Sequence, residues 1–143
     1  MNEILCSGAI FFSKSTKRML LLHRRNGSKS NQWGIVGGKS ENNESHWEGL
    51  QREIEEEIGF LPCIRKSIPL EKFISKDARF HFLTYLCIVD NEFIPTLNIE
   101  HDSYAWCSYK SWPKPLHIGL KSSLSNNTIK KKLETVFDII DFI

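Results

Sequence analysis

Glu53, Glu56 and Glu57 stand three and four residues apart in the run Arg52-Glu-Ile-Glu-Glu-Glu-Ile-Gly-Phe60. On a helix, at 100° per residue, the three carboxylates fall within one sector of about 100°. Like charges at that spacing repel by a few tenths of a kcal/mol per pair, so a helix that needed only stability has little reason to gather them. A hard divalent cation supplies the reason, because Mg²⁺ is held by a few carboxylate oxygens together with water and substrate phosphates. The cluster reads as a metal site.

The same helix has a second face. With Glu53 as zero, Trp47, Leu50, Ile54 and Ile58 lie between about 60° and 140°, a core stripe beside the carboxylates. Gly49 falls near the middle of the carboxylate face, where a missing side chain is expected to leave room for a metal or phosphate. Glu55 points to solvent and receives no role. Ser45, or Glu44 with it, is placed to cap the helix N-terminus, and Gly59 suits its C-terminal end. Arg52 lies about 100° from Glu53, which makes it an orienting partner for a carboxylate rather than a phosphate clamp.

Around this helix the chain offers strand-like runs at Ile4 to Phe12 and Met19 to Arg24, joined by a Ser/Lys/Thr turn that predicts a hairpin. A polar loop from Asn26 to Gln32 precedes Trp33-Gly-Ile-Val-Gly-Gly38, whose glycine pair lets bare backbone approach a ligand. Pro62 forbids continuation of the helix. Residues Lys72 to Val89 hold long β-favourable stretches, with Phe80 and Phe82 expected in the core. Tyr104 to Tyr109 reads as a short strand. From Asn127 to Ile143, Ile129, Leu133, Val136, Phe137 and Ile140 form one helical stripe, the mark of a packing helix. No role follows for Pro115-Leu-His-Ile-Gly119.

At 143 residues the chain fits one domain, residues 1–143, with a core large enough to fold alone. A net charge of +2 argues neither for nor against a polyanionic partner. No long apolar run or signal-like start is present, which points to a cytoplasmic protein. Cys6, Cys63, Cys87 and Cys107 are widely spread with no Cys-x-x-Cys, so buried reduced thiols are expected rather than zinc ligands or disulfides.

The whole segment, G-x5-E-x7-R-E-U-x-E-E-x-G-U with U a bulky apolar residue, resembles the signature of the Nudix hydrolases. Gly38, Glu44, Arg52, Glu53, Ile54, Glu56, Glu57, Gly59 and Phe60 fill its specified positions. At average composition, the seven fixed positions would coincide by chance about once in several hundred million trials, which sets aside a merely solvated acidic face. The flanks Leu20-Leu-Leu-x-Arg-Arg25, Trp33-Gly-x-x-Gly-Gly38 and Glu100-His-Asp-x-Tyr-x-Trp106 also look like the family. Val36 departs from it, since many members have proline there; that position shapes the loop and supplies no ligand.

The resemblance implies an α/β fold, an α/β/α sandwich with a mixed sheet and a C-terminal packing helix. It implies a pyrophosphohydrolase that cleaves a nucleoside diphosphate linked to another group, X, with Mg²⁺ as cofactor and Mn²⁺ as substitute. Glu53, Glu56 and Glu57 are then the metal ligands, with Gly38 contributing a carbonyl and Arg52 orienting. Glu57 is the most central carboxylate for the nucleophilic water, and Glu100 is an extra ligand or the general base, with Asp102 its rival. Arg24, Arg25 and Lys39 are candidates for phosphates, and Trp33 and Tyr104 for stacking on a base. His101, beside Glu100, is the histidine of most interest. The segment from Glu100 to Trp106 is similar to that of diadenosine-polyphosphate hydrolases, but related segments occur in members cleaving nucleoside triphosphates, nucleotide sugars and capped or triphosphorylated RNA ends. The partner expected is a small nucleotide, not a membrane or a long nucleic acid, with a homodimer left open. The competing reading is a nucleotide-binding regulator that kept the fold and lost turnover.

Overall fold

β1 (Ile4–Ser13) is the strand around which the sheet assembles, and every residue from Ser7 to Ser13 is buried. A strand that reads apolar almost continuously is one covered on both faces. The structure, a computed structural model, describes residues 3–25, 27 and 30–143. Of the expected polar loop, Asn26, Ser28 and Lys29 lie outside the described residues.

Among the described residues seven strands form one mixed sheet. β2 (Arg18–Arg24) turns back antiparallel to β1 with Met19 opposite Phe12, giving the expected hairpin. β3 (Trp33–Gly34) pairs with β2, and β4 (Val36–Lys39) runs antiparallel to β1, setting Gly37 opposite Gly8 and Gly38 opposite Ser7. After α1 (His46–Ile58), β5 (Lys66–Ile74) and β6 (Phe80–Val89) form an antiparallel pair, and β6 lies parallel to β1 from Ile4↔Phe80 to Ser13↔Val89. β7 (His101–Ser108) closes the other edge against β2.

Alternation along the strands separates two cores. Ala9, Phe11, Leu20 and Leu22 pack towards α1, meeting Leu50, Ile54 and Ile58. Ile10, Phe12, Leu21, Leu86 and Ile88 pack towards α2 (Ile118–Ser125) and α3 (Asn127–Ile139), where Ile129, Leu133 and Val136 meet them. Phe137 stacks on Phe12 with ring centroids 5.2 Å apart. The result is the expected α/β/α sandwich with its C-terminal packing helix, extended by a 3-10 turn over Ile140–Phe142.

Several local expectations need correction. The β-rich stretch begins at Lys66 rather than Lys72, because Pro69 falls on an edge strand, where a missing N–H is tolerated. α2 was not legible: of its eight residues only Leu120 is buried, so it carries no apolar stripe. The Pro115–Gly119 segment gains a role. Pro115 O accepts from Trp33 N–H at 2.9 Å and His117 N–H donates to Trp33 O at 2.8 Å, which ties the start of α2 to β3. Cys63 is exposed, Cys6 is half-buried, and Cys87 and Cys107 are buried; all four thiols are free.

Candidate active site

α1 is fixed at both ends by its own sequence. Ser45 Oγ accepts from Glu48 N–H at 3.1 Å while Glu48 Oε1 accepts from Ser45 N–H at 2.9 Å, a reciprocal cap. At the other end Gly59 adopts φ 87°, the left-handed conformation a glycine takes without penalty, and its N–H donates to Glu55 O. Leu50, Ile54 and Ile58 are fully buried, so the apolar stripe sets the rotation of the helix and turns the carboxylate face towards β4.

The carboxylates meet the glycine turn there. A Cβ added to Gly38 would stand 2.5 Å from the carboxyl carbon of Glu53, and one added to Gly37 would strike Ser7 O. Gly37 N–H donates to Glu57 Oε1 at 3.4 Å. Gly49 is small for a different reason from the one its helical position suggests. Its missing Cβ makes room for Ser40, whose Oγ would be 2.6 Å away, so the clearance serves packing of the loop on the helix rather than metal or phosphate.

Arg52 holds the acidic face together. Its Nε and Nη2 donate to the two oxygens of Glu44 at 3.0 and 3.1 Å, its Nη1 to Glu53 Oε1 at 3.1 Å and Glu56 Oε1 at 3.4 Å, and its Nη2 also to Lys39 O at 3.0 Å. Glu44 therefore clamps Arg52 instead of capping the helix. Its hydrogen bonds from Arg52 hold its carboxyl below the usual range, and the same bonds raise the pKa of Arg52. Glu57 is the opposite case. It is 3% exposed, and burial, followed by the hydrogen bond to Glu53 and the charge of Glu53, pushes its carboxyl up to about 9.

Burial differs sharply among the three motif carboxylates: the side chains of Glu57 and Glu53 are 4% and 16% exposed, that of Glu56 55%. Among the described residues no three Asp, Glu, His or Cys side chains close into a metal cage. What converges is a pair, Glu53 and Glu57, with Glu56 at the rim and Glu55 exposed behind. That donor set fits Mg²⁺, which takes one or two carboxylates and keeps much of its water. A buried carboxyl against a half-buried one favours either a proton held on the pair or a cation between them.

Around this pair the other candidates separate. Glu100 is exposed in the turn before β7, where its N–H donates to Asn98 Oδ1 at 3.0 Å and its charge helps to raise Glu57. Asp102 is engaged by His23 Nδ1 at 2.6 Å. His101 is 7% exposed, with Nε2 4.0 Å from Glu57 Oε1. Burial, and then the charge of Arg24, lowers its pKa. The sequence singled out His101 without showing that it faces the buried carboxylate. Lys39 is exposed, and so is Arg25, whose N–H donates to Glu100 O at 2.8 Å.

Trp33 and Tyr104 lie on opposite faces of the sheet. Trp33 packs on the His23 ring at 5.0 Å and against the α3-side core, while Tyr104 stands opposite Leu22, on the α1 side. Neither lines the cavity of about 580 Å³ that opens beside Gly37 and Gly38, between the sheet and α2. Arg24 does line it. Its aromatic walls are Phe73, Phe80 and Phe82, and Phe80 and Phe82 are half-buried, not core. Their alternation on β6 was legible in sequence; that α2 stands away from them was not.

A family profile for the NUDIX domain matches residues 5–126. Over 62 residues the chain is 32% identical to Nudix hydrolase 7 of Arabidopsis thaliana, a match covering 42% of this chain and 22% of that protein. Solved structures of the same fold include a MutT NUDIX hydrolase from Burkholderia pseudomallei, with a TM-score of 0.67 at 22% identity over 89% of this chain and 99% of that one. An Ap4A hydrolase from C. elegans gives a TM-score of 0.71 at 19% identity, over 93% and 98% of the two chains. The NUDIX domain of Shewanella oneidensis NrtR, complexed with ADP ribose, gives 0.69 at 15% identity over 93% and 90%. A profile that runs from β1 through α2 takes in the sheet, the glycine turn and α1 together, and on that extent the chain belongs to the NUDIX domain family.

Proposed function

We propose that the protein hydrolyses a phosphoanhydride bond in a nucleoside diphosphate linked to another group, with Mg²⁺ as its cofactor. The observation that carries this reading is the convergence of Glu53 and the buried Glu57 on the Gly37–Gly38 turn, with Arg52 holding the acidic face behind them. Glu53, Glu57 and the rim carboxylate Glu56 would hold the cation, with Gly38 as a carbonyl donor. A bound Mg²⁺ supplies neutralisation of phosphate charge and activation of water.

The chain's own residues do the rest. Arg52 fixes the Glu53 carboxylate through a rigid guanidinium fork. Once the cation has taken the place of its proton, Glu57 would accept the proton of the attacking water, with Glu100 the second carboxylate for that task. Arg24, on the cavity wall, and the exposed Arg25 and Lys39 supply positive charge for phosphate oxygens. Similarity to proteins named as a MutT hydrolase, an Ap4A hydrolase and an ADP-ribose complex supports a small nucleotide as substrate. No helix among the described residues is long and apolar enough to cross a membrane, and four free thiols accord with a reducing cytoplasm.

Nucleoside triphosphates, dinucleoside polyphosphates and nucleotide sugars incubated with the protein test the reading. A nucleoside mono- or diphosphate product should accumulate with time in Mg²⁺ and not in excess EDTA. Saturable binding of one compound with no product from any of them would replace the hydrolase with the regulator.

A further inference from the structure

The cavity beside the glycine turn contains a carboxylate that the proposed hydrolysis does not use. Glu71 lies on β5, whose register with β6 slips by one residue: Ile68 stands opposite Leu86 and Pro69 opposite Tyr85, but the next pair is Glu71 and Thr84. Leu70 is the extra residue. Side chains alternate along a strand, so without the slip Glu71 would face away from the side that Leu70 takes. The bulge re-aims it. Leu70 enters the α3-side core at 2% exposure, and Glu71 joins Thr84 and Phe82 on the cavity wall.

Glu71 is held there from above. Ser123 Oγ, on α2, donates to Glu71 Oε1, while Oε2 has no hydrogen-bond partner among the described residues. Beside it the rings of Phe73 and Phe80 lie 6.1 Å apart and those of Phe80 and Phe82 6.3 Å apart, with Phe73 53% exposed at the rim. The volume of about 580 Å³ is ample for a planar base. Aromatic faces accept any base by stacking. An ionised carboxylate accepts hydrogen bonds and donates none, so it distinguishes bases by their donors.

We propose that this cavity receives the nucleobase of the substrate and that Glu71 selects guanine. Guanine presents N1–H and the N2 amino group side by side, two donors for one carboxylate. Adenine sets a lone pair on N1 beside its amino group, cytosine does the same at N3, and uracil flanks its N3–H with two carbonyls; each turns at least one acceptor towards Glu71. A buried acceptor facing an acceptor is penalised more heavily than a lost contact. This assignment rests on the reading of the site as one for nucleotides, and it adds base selectivity to it.

Calorimetric binding of GDP and ADP in EDTA tests the assignment without the cation or turnover. The wild-type protein should bind GDP at least about tenfold more tightly than ADP, the scale of one good bidentate contact. Glu71→Gln should abolish that preference by weakening GDP alone, at an unchanged melting temperature. Phe82→Leu should weaken both nucleotides together, and Ser123→Ala, which leaves the carboxylate in place, should keep the preference. Equal affinities in the wild type, binding of neither nucleotide at millimolar concentration, or a Glu71→Gln protein that still prefers GDP would each overturn the assignment. Turnover of nucleotides with an unaltered preference in Glu71→Gln would remove only the guanine assignment and leave the hydrolase standing. Guanine-selective binding without turnover would do the reverse.

Discussion

Glu57 is a carboxyl with little water and a second carboxyl against it, so its protonation is coupled to stability. Its pKa in the folded protein is about 9, well above the ordinary carboxylate value of 4.5. Between those values the native state keeps a proton that the unfolded chain has lost, so stability falls as pH rises through that window. In the absence of divalent cations, the melting temperature of the wild type should therefore drop more between about pH 6 and about pH 9 than that of Glu57→Gln, which cannot ionise. Added Mg²⁺ should reduce the drop, since a cation that binds only the folded state stabilises it. Parallel pH curves for the two proteins would show that Glu57 does not ionise at a cost. Arg52 shows the complementary logic. Its fork is spread over Glu44, Glu53, Glu56 and a backbone carbonyl, which explains how so many carboxylates sit on one helix face before any cation arrives.

At the scale of elements, β4 is where α1 and the cavity meet, and its two glycines have different tasks. A Cβ on Gly37 would strike the backbone oxygen of Ser7, which cannot move without breaking the pairing of β1 with β4. A Cβ on Gly38 would first meet the end of the Glu53 side chain, which can rotate aside. Gly37→Ala should accordingly cost about 1–3 kcal/mol of stability, the range of overpacking, as read from chemical denaturation. Gly38→Ala should keep its denaturation midpoint and lose turnover and Mg²⁺ affinity as Glu53 is displaced. Equal loss of stability in both variants would contradict this division. The helix itself was legible because periodicity, cap and carboxylate spacing all agreed over one short stretch. β5 was less so: Pro69 argues against a strand, and the bulge at Leu70 that turns Glu71 inward depends on pairing with β6, which no local pattern encodes.

Over the whole molecule, the sheet divides the labour between its faces. The α1 side carries the acidic pair on a helix locked by its own caps and apolar stripe, and the α3 side carries the cavity, covered by α2 and opening at the Gly37–Gly38 turn. The sequence showed most of the first face, because its carboxylates, Arg52 and Gly38 lie within one motif, but not that His101 reaches Glu57 from β7. It did not show the second, whose wall is drawn from elements spread along the chain from β1 to α3; Trp33, near in sequence to the glycine turn, packs on His23 instead. The division makes turnover sensitive to a change on α1 that leaves the cavity and the fold intact. The most direct measurement is kcat with Mg²⁺, on whichever nucleotide is turned over fastest, for the wild type, Glu57→Gln and the exposed control Glu55→Gln, with melting temperatures recorded alongside. The expected result is a fall of at least about 10²-fold for Glu57→Gln, comparable to losing a principal electrostatic contact, with Glu55→Gln at the wild-type rate and all three proteins folded. A folded Glu57→Gln protein that turns over at the wild-type rate would contradict the placement of the chemistry at the Glu53–Glu57 pair.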